Sequence, residues 1–296
     1  FDSYDAVAGA ADLANYLARE DYSGIVVSSL EHGAFGEGRL INTEYFKLPR
    51  FEASVKNFAA AYKILKDVVK DEKIDILHSY SPLSSWLAYL VCRHTDASHV
   101  TTCDKFYRKN IFNYSMVLSK MVIVHSEVVG KHILGSFNLP RDRLRFIRPS
   151  LRLEDFNFQE VDQRSKTDFS IAIIAPRGMD GEYEYFLKTM IKLIRIIPPI
   201  KITIVSYRSQ LSQNAKDELR ALARRLSLAS HVRFFEASDL RTEFLSQFNL
   251  LVFSAFQESA ALRPILEAQA YGIPVIASRV GGVAEIISDN KTGIFV

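Results

Sequence analysis

Short β-branched and aliphatic runs alternate along this chain with longer stretches of helical period. That alternation admits few folds, because it builds parallel sheets covered by helices on both faces. The first runs are Gly24 to Ser28, Ile74 to Leu77, His99 to Thr102, Met121 to His125 and Leu144 to Ile147. Between the first two, Val55, Phe58, Tyr62, Leu65 and Val69 recur at three- and four-residue steps and give one apolar helical face, the pattern of a βαβ crossover. Residues Asn157 to Asp168 turn polar and lose periodicity, and the alternation restarts at Ser170 to Ala175. Strands at Ile202 to Val205, Val232 to Phe235, Leu250 to Phe253 and Pro274 to Ser278 follow. Helices are expected near Tyr183 to Ile196, Asn214 to Leu226, Leu240 to Phe248 and Leu262 to Ala270. The expectation is an α/β protein of two doubly wound domains in tandem, 1–156 and 169–296, joined by a linker at 157–168.

In such sheets ligands sit beyond the carboxyl ends of the strands, where helix N-termini offer free N–H groups. The cleft between two facing parallel sheets is then the expected site. Composition narrows the partners. A net charge of +3 without any Lys/Arg block argues against nucleic acid. Cys92 and Cys103 make neither a metal spacing nor a disulfide framework, which fits a reducing, cytoplasmic compartment. No apolar run approaches the roughly 20 residues that span a bilayer, so membrane contact is expected to be peripheral, at the inner face.

The chemistry concentrates in Ser254 to Val296. A strand ending at Phe253 is followed by a loop with Glu258, a helix starting near Leu262 that carries Glu267, then Gly272, a strand, the pair Gly281-Gly282, and Glu285. Glycines at strand tips suit close backbone approach to a phosphate-bearing ligand. A carboxylate in the helix can accept from both hydroxyls of a ribose.

Here the sequence resembles the family 4 glycosyltransferases, retaining enzymes of the GT-B fold. The resemblance rests on Glu267-Ala268-Gln269-Ala270-Tyr271-Gly272-Ile273-Pro274-Val275, Gly281-Gly282-Val283-Ala284-Glu285 and Thr292-Gly293. It extends upstream through Asp75 to Ser79, Thr101-Thr102, Ser126-Glu127 and the segment Ile147 to Phe156. The resemblance implies an N-terminal acceptor-side Rossmann-like domain and a C-terminal nucleotide-sugar-binding one. The family's first strand and closing helices find no counterpart in the chain. Glu267 would hold the nucleotide ribose, and Glu258 would touch the transferred sugar. Arg177 and the backbone amides of Ala260, Ala261 and Leu262 would neutralise the diphosphate of the leaving group. Gly281, Gly282 and Glu285 would complete the donor side. His78, Lys105 and Tyr107 would face the acceptor, with Lys105 to Tyr114 interleaving bases and aromatics. No metal and no cofactor are implied. The expected partners are a nucleotide diphosphate sugar and a glycan or lipid-linked acceptor of an envelope polysaccharide or lipopolysaccharide pathway.

Three departures from the family stand out. Eight residues instead of seven separate Glu258 and Glu267, so that the loop bulges or Ser259 takes the first acid's register. No lysine follows Arg177 within Gly178 to Glu182, and Arg263 is a candidate substitute cation. Asp104 stands where the family places a histidine that contacts the donor sugar, and an ionised carboxylate accepts but cannot donate. Two alternatives to a transferase follow: a catalytically silent GT-B protein that binds a nucleotide sugar or a partner enzyme, and a nucleotide-sugar epimerase of the same fold.

Overall fold

The computed structural model describes residues 4–30, 40, 43–50, 54–159, 169–174, 180–196, 200–207, 213–237, 243–255 and 262–296. The chain forms two compact units, Phe1–Pro149 and Ser150–Val296.

In the first unit, α1 (Tyr4–Arg19) leads to β1 (Ile25–Ser28), which pairs in parallel with β2 (Glu44–Lys47). Then come α2 (Val55–Asp71), β3 (Ile76–Ser79), α3 (Pro82–Cys92), β4 (Ser98–Cys103), β5 (Met121–Val124), α4 (Glu127–Phe137) and β6 (Leu144–Phe146). Strands β3, β4, β5 and β6 pair in that order, all parallel. Serines start the helices. Ser54 accepts from the Asn57 N–H, Ser126 accepts from the Val129 N–H, and Ser81 and Ser84 form a reciprocal capping box with Pro82 in the first turn. Asn138 ends α4 in the left-handed region at φ 52°.

The expected crossover from β1 to β3 is more elaborate than the periodicity implied. β2 lies between them in sequence, and among the described residues β1 and β2 form a sheet of their own. The α2 apolar face is also one residue shorter than expected. Val55 is the first helical residue after the Ser54 cap and is 88% exposed, whereas Leu65 and Val69 are buried against Leu87 and Val91.

The second unit holds β7 (Phe169–Ile174), α5 (Asp180–Ile196), β8 (Ile200–Tyr207), α6 (Gln213–Arg225), β9 (Val232–Ala237), β10 (Leu250–Phe253), α7 (Arg263–Ala270), β11 (Val275–Ala277) and β12 (Ile294–Phe295). The sheet runs β9-β8-β7-β10-β11-β12, every pair parallel. Ile171, Ile173, Ile202 and Ile204 pack with Tyr183 and Leu187 of α5 and with Leu219 and Leu222 of α6. Burial on both faces explains why these strands read as runs of β-branched residues without alternation.

Two features differ from the sequence expectation. Where a helix was expected over Leu240 to Phe248, the described part is a single 3-10 turn, Glu243–Gln247. The chain has no room to continue it. Asn249 already accepts from the Ser170 N–H at 2.8 Å, and the Ser170 hydroxyl donates to the Gln247 carbonyl at 2.9 Å, so the turn is clamped to the start of β7. Secondly, residues 156–159 pack within the second unit. The Phe156 ring meets the Tyr271 ring edge-on at 5.0 Å, and the Gln159 N–H donates to the Tyr271 carbonyl at 3.3 Å. The rest of the expected linker, 160–168, lies outside the described residues.

Candidate functional site

In the second unit the direction of sheet growth reverses between β7 and β10. Strands added after β7 go to one side (β8, β9) and the later ones to the other. In open α/β sheets the crevice beyond the carboxyl ends of such strands is where ligands bind. The two strand ends are tied there, since the Ser254 N–H donates to the Ile174 carbonyl at 3.2 Å and the Ala255 N–H to the Ser278 hydroxyl at 3.2 Å. Arg177, Glu258, Ala260 and Ala261 belong to the loops beyond these ends and lie outside the described residues.

Helix α7 opens directly after the second of those loops. Leu262 sits at its N-cap, where it supplies no side-chain hydrogen bond, and Pro264 in the first turn has no N–H. The helix start offers backbone N–H groups of the kind that can meet an anion. One turn further in, Glu267 is fully buried and Arg263 nearly so, with side-chain exposures of 0% and 8%. The Arg263 Nε–H donates to Glu267 Oε1 at 2.7 Å. Gly281 takes φ +50° and Gly282 is buried, and the two begin a 3-10 turn that ends at the half-buried Glu285. Glu285 thus closes a single turn. Thr292 is structural: its hydroxyl accepts from the Ser288 N–H at 2.9 Å and its carbonyl from Gln269 at 3.1 Å.

The close approach made by Gly272 is to the protein itself. Its φ is +71°, and a Cβ there would run into the Gln159 carbonyl and come within 2.8 Å of the Phe158 ring. The glycine of that motif lets an incoming segment lie against the end of α7.

In the first unit the polar groups gather at the carboxyl ends of β3 and β4. His78 Nε2 lies 2.7 Å from the Thr102 hydroxyl, and its Nδ1 lies 3.3 Å from the Tyr80 hydroxyl, with the His78 and Tyr80 rings stacked at 4.4 Å. Burial, then the neighbouring His99 and His125, lowers the His78 pKa to about 4, so the ring is neutral near pH 7. Burial, with the charge of Asp12, pushes the Tyr80 hydroxyl above its usual range. Beneath them His99, 5% exposed, shares its Nε2 with the Ser79 hydroxyl at 2.8 Å and the Thr101 hydroxyl at 3.2 Å. Its Nδ1 is the one buried side-chain nitrogen or oxygen without a partner among the described residues. Burial lowers the His99 pKa to about 4 as well.

Asp104 follows β4 directly. It is 6% exposed and accepts a 3.0 Å hydrogen bond from the Tyr107 hydroxyl. Tyr107 is itself buried, and its carbonyl lies 2.9 Å from His132 Nε2. Lys105 is exposed, its Nζ 5.5 Å from the centre of the Tyr107 ring. The structure therefore brings Asp104 and Tyr107 together, places His78 on the adjacent strand, and leaves Lys105 at the surface.

Two family models match this chain: Glycosyltransferase Family 4 over residues 6–155 and Glycosyl transferases group 1 over residues 160–296. The chain belongs to glycosyltransferase family 4. It is 40% identical over 80 residues to D-inositol 3-phosphate glycosyltransferase 2 of Catenulispora acidiphila, a stretch that is 26% of this chain and 18% of that one. To the lipopolysaccharide glucosyltransferase WaaG of Escherichia coli it is 33% identical over 86 residues, 29% of this chain and 23% of that one. The matched stretch thus spans less than a quarter of the length of either relative. Anabaena HepE, solved in complex with UDP and glucose, superposes with a TM-score of 0.76 at 14% identity, covering 100% of this chain and 82% of that one. The likeness is one of fold: GT-B, two Rossmann-like units in tandem.

For a family 4 chain, several polar groups at the candidate site were invisible to motif reading. Tyr80 and His99 sit outside the stretches that carry the family resemblance, and Ser79 ends one of them without a role assigned to it. Their only sequence signal is the period of two that sends Ser79 and Thr101 to one side of paired strands and His78 and Val100 to the other.

Proposed function

We propose that the chain is a glycosyltransferase that moves a sugar from a nucleotide diphosphate donor to a glycan or lipid-linked acceptor, in envelope polysaccharide or lipopolysaccharide synthesis. The observation that carries this is the fully buried Glu267 on the helix that follows the reversal point of the second unit's sheet. A carboxylate at that depth, one turn below the start of α7, suits a ligand that joins a diol to an anion. In this reading Glu267 accepts from the ribose hydroxyls. Arg177 and the amides of residues 260–262 meet the diphosphate, Gly281, Gly282 and Glu285 border it, and Glu258 and Asp104 address the sugar. His78, neutral at pH 7, offers hydrogen bonds without charge on the acceptor side, together with Lys105 and Tyr107.

WaaG is named a lipopolysaccharide glucosyltransferase and HepE holds UDP and glucose, which supports a nucleotide-sugar donor and an envelope acceptor. The name of WaaG favours transfer over the silent and epimerase alternatives. The loop after Lys105 supports a peripheral site at the inner membrane face. Ile111 is 86% exposed there, with Phe112 and Tyr114 also exposed beside Arg108 and Lys109. No helix among the described residues is long and apolar enough to cross a membrane.

Calorimetry with a panel of nucleotide sugars, followed by a nucleotide-release assay with candidate acceptors, tests the proposal. Binding with release supports transfer. Binding without release under every acceptor supports the silent alternative, and conversion of the sugar without acceptor supports the epimerase.

A further inference from the structure

We propose that Arg263 is a positioning residue for the donor's ribose, acting through Glu267, and does not serve as a cation for the diphosphate. This rests on the donor reading given above. The guanidinium is 8% exposed and its Nε–H is committed to Glu267 Oε1 at 2.7 Å.

Helix electrostatics do not account for the pair. Arg263 stands at the first residue of α7, where the helix end is partially positive and a cation is disfavoured. The acid lies four residues after the base, the less favourable of the two orders for such a pair on a helix. Nor does burial account for it, because desolvating two charges costs much of what their attraction returns, and an apolar pair of similar volume is often as stable. What the pair does provide is orientation. The planar guanidinium grips one carboxylate oxygen and supplies the countercharge that a buried carboxylate requires. Ribose recognition needs this state: an acceptor-only carboxylate held in a fixed plane, so that hydroxyl donors meet lone pairs in known directions.

The test compares ribose discrimination rather than affinity alone. The full chain and its Arg263→Met and Arg263→Lys variants are titrated with UDP, ADP, GDP and CDP, and then with the dideoxyribose analogue of the diphosphate that binds. The unsubstituted chain is expected to prefer the ribose form by on the order of tenfold to a hundredfold, the range for hydrogen bonds to a charged group. Arg263→Met should bring that preference to within about threefold. Arg263→Lys, which keeps the charge and loses the fork, should fall between. If Arg263→Met does not fold, as judged by circular dichroism, Arg263→Lys carries the comparison and must show a reduced preference. Equal weakening toward both nucleotides, with the preference intact, would overturn the assignment while leaving the donor reading in place. Failure of the unsubstituted chain to bind any diphosphate overturns both.

Discussion

Single side chains set the terms of the proposed donor site. Glu267→Gln keeps the shape but replaces half of an acceptor-only group with a donor and removes the negative charge that Arg263 meets at 2.7 Å. Nucleoside diphosphate affinity should fall on the order of tenfold to a hundredfold, read by calorimetry, and the melting temperature should fall with it. Gly272→Ala tests a different constraint. An alanine at φ +71° carries left-handed strain, and its Cβ would collide with the Gln159 carbonyl. A loss of about 2 to 4 kcal/mol is expected in urea unfolding, a range typical of backbone strain combined with a steric clash. Buried His99 and half-buried His78 give the first unit a pH dependence. His78 and His99 titrate near pH 4 when folded and near 6.5 when unfolded, so the unfolded chain binds more protons between those values. Stability should be flat above about pH 6.5 and decline from there toward pH 4. The His99 contribution, from a shift of 6.5 to about 4, approaches about 3 kcal/mol. His99→Asn should flatten that slope in chemical unfolding curves recorded across the window.

Strands and helices were legible in the sequence to different depths. In the second unit every strand from β7 to β11 overlaps a run of aliphatic residues picked out by pattern, because strands buried on both faces leave long unbroken signals. Helices α5, α6 and α7 announce themselves by the same three- and four-residue spacing that buries Tyr183, Leu187, Leu219 and Leu222. The first unit was harder. α3 (PLSSWLAYLVC) is apolar nearly all round, so no amphipathic stripe marks it, and only its capping serines signal a start. β2, Glu44–Lys47, sets two aromatics between two charged residues, so no aliphatic run marks it. The turn at Glu243–Gln247 failed for the opposite reason: Phe244 and Phe248 have helical spacing, but the Asn249 and Ser170 clamp, which no local pattern encodes, stops the chain there. Replacing that clamp by Asn249→Ala should lower urea stability by about 1 kcal/mol, since it takes the acceptor from the half-buried Ser170 N–H.

At the scale of the whole molecule, the donor signature was readable because it is local, running within Glu267 to Gly293 in one stretch. The partners of Asp104 and His78 were not, since Tyr107, Tyr80 and Thr102 acquire their roles only when strands are laid side by side. Two compact units with separate cores predict non-coincident unfolding transitions. A nucleoside diphosphate held by the second unit should move one of them: at a hundredfold excess over Kd the gain is about 2.7 kcal/mol. Hydrogen exchange should show the added protection in β7, β10 and α7 and leave β3 to β6 unchanged. The docking of residues 156–159 against Tyr271 and Gly272 has a mechanical side. Chain arriving from the first unit is fastened to the tail of the helix whose body carries Glu267, before it reaches the strand that opens the second sheet. A tug on that tether therefore arrives at the helix of Glu267 directly, through one hydrogen bond and one pair of rings.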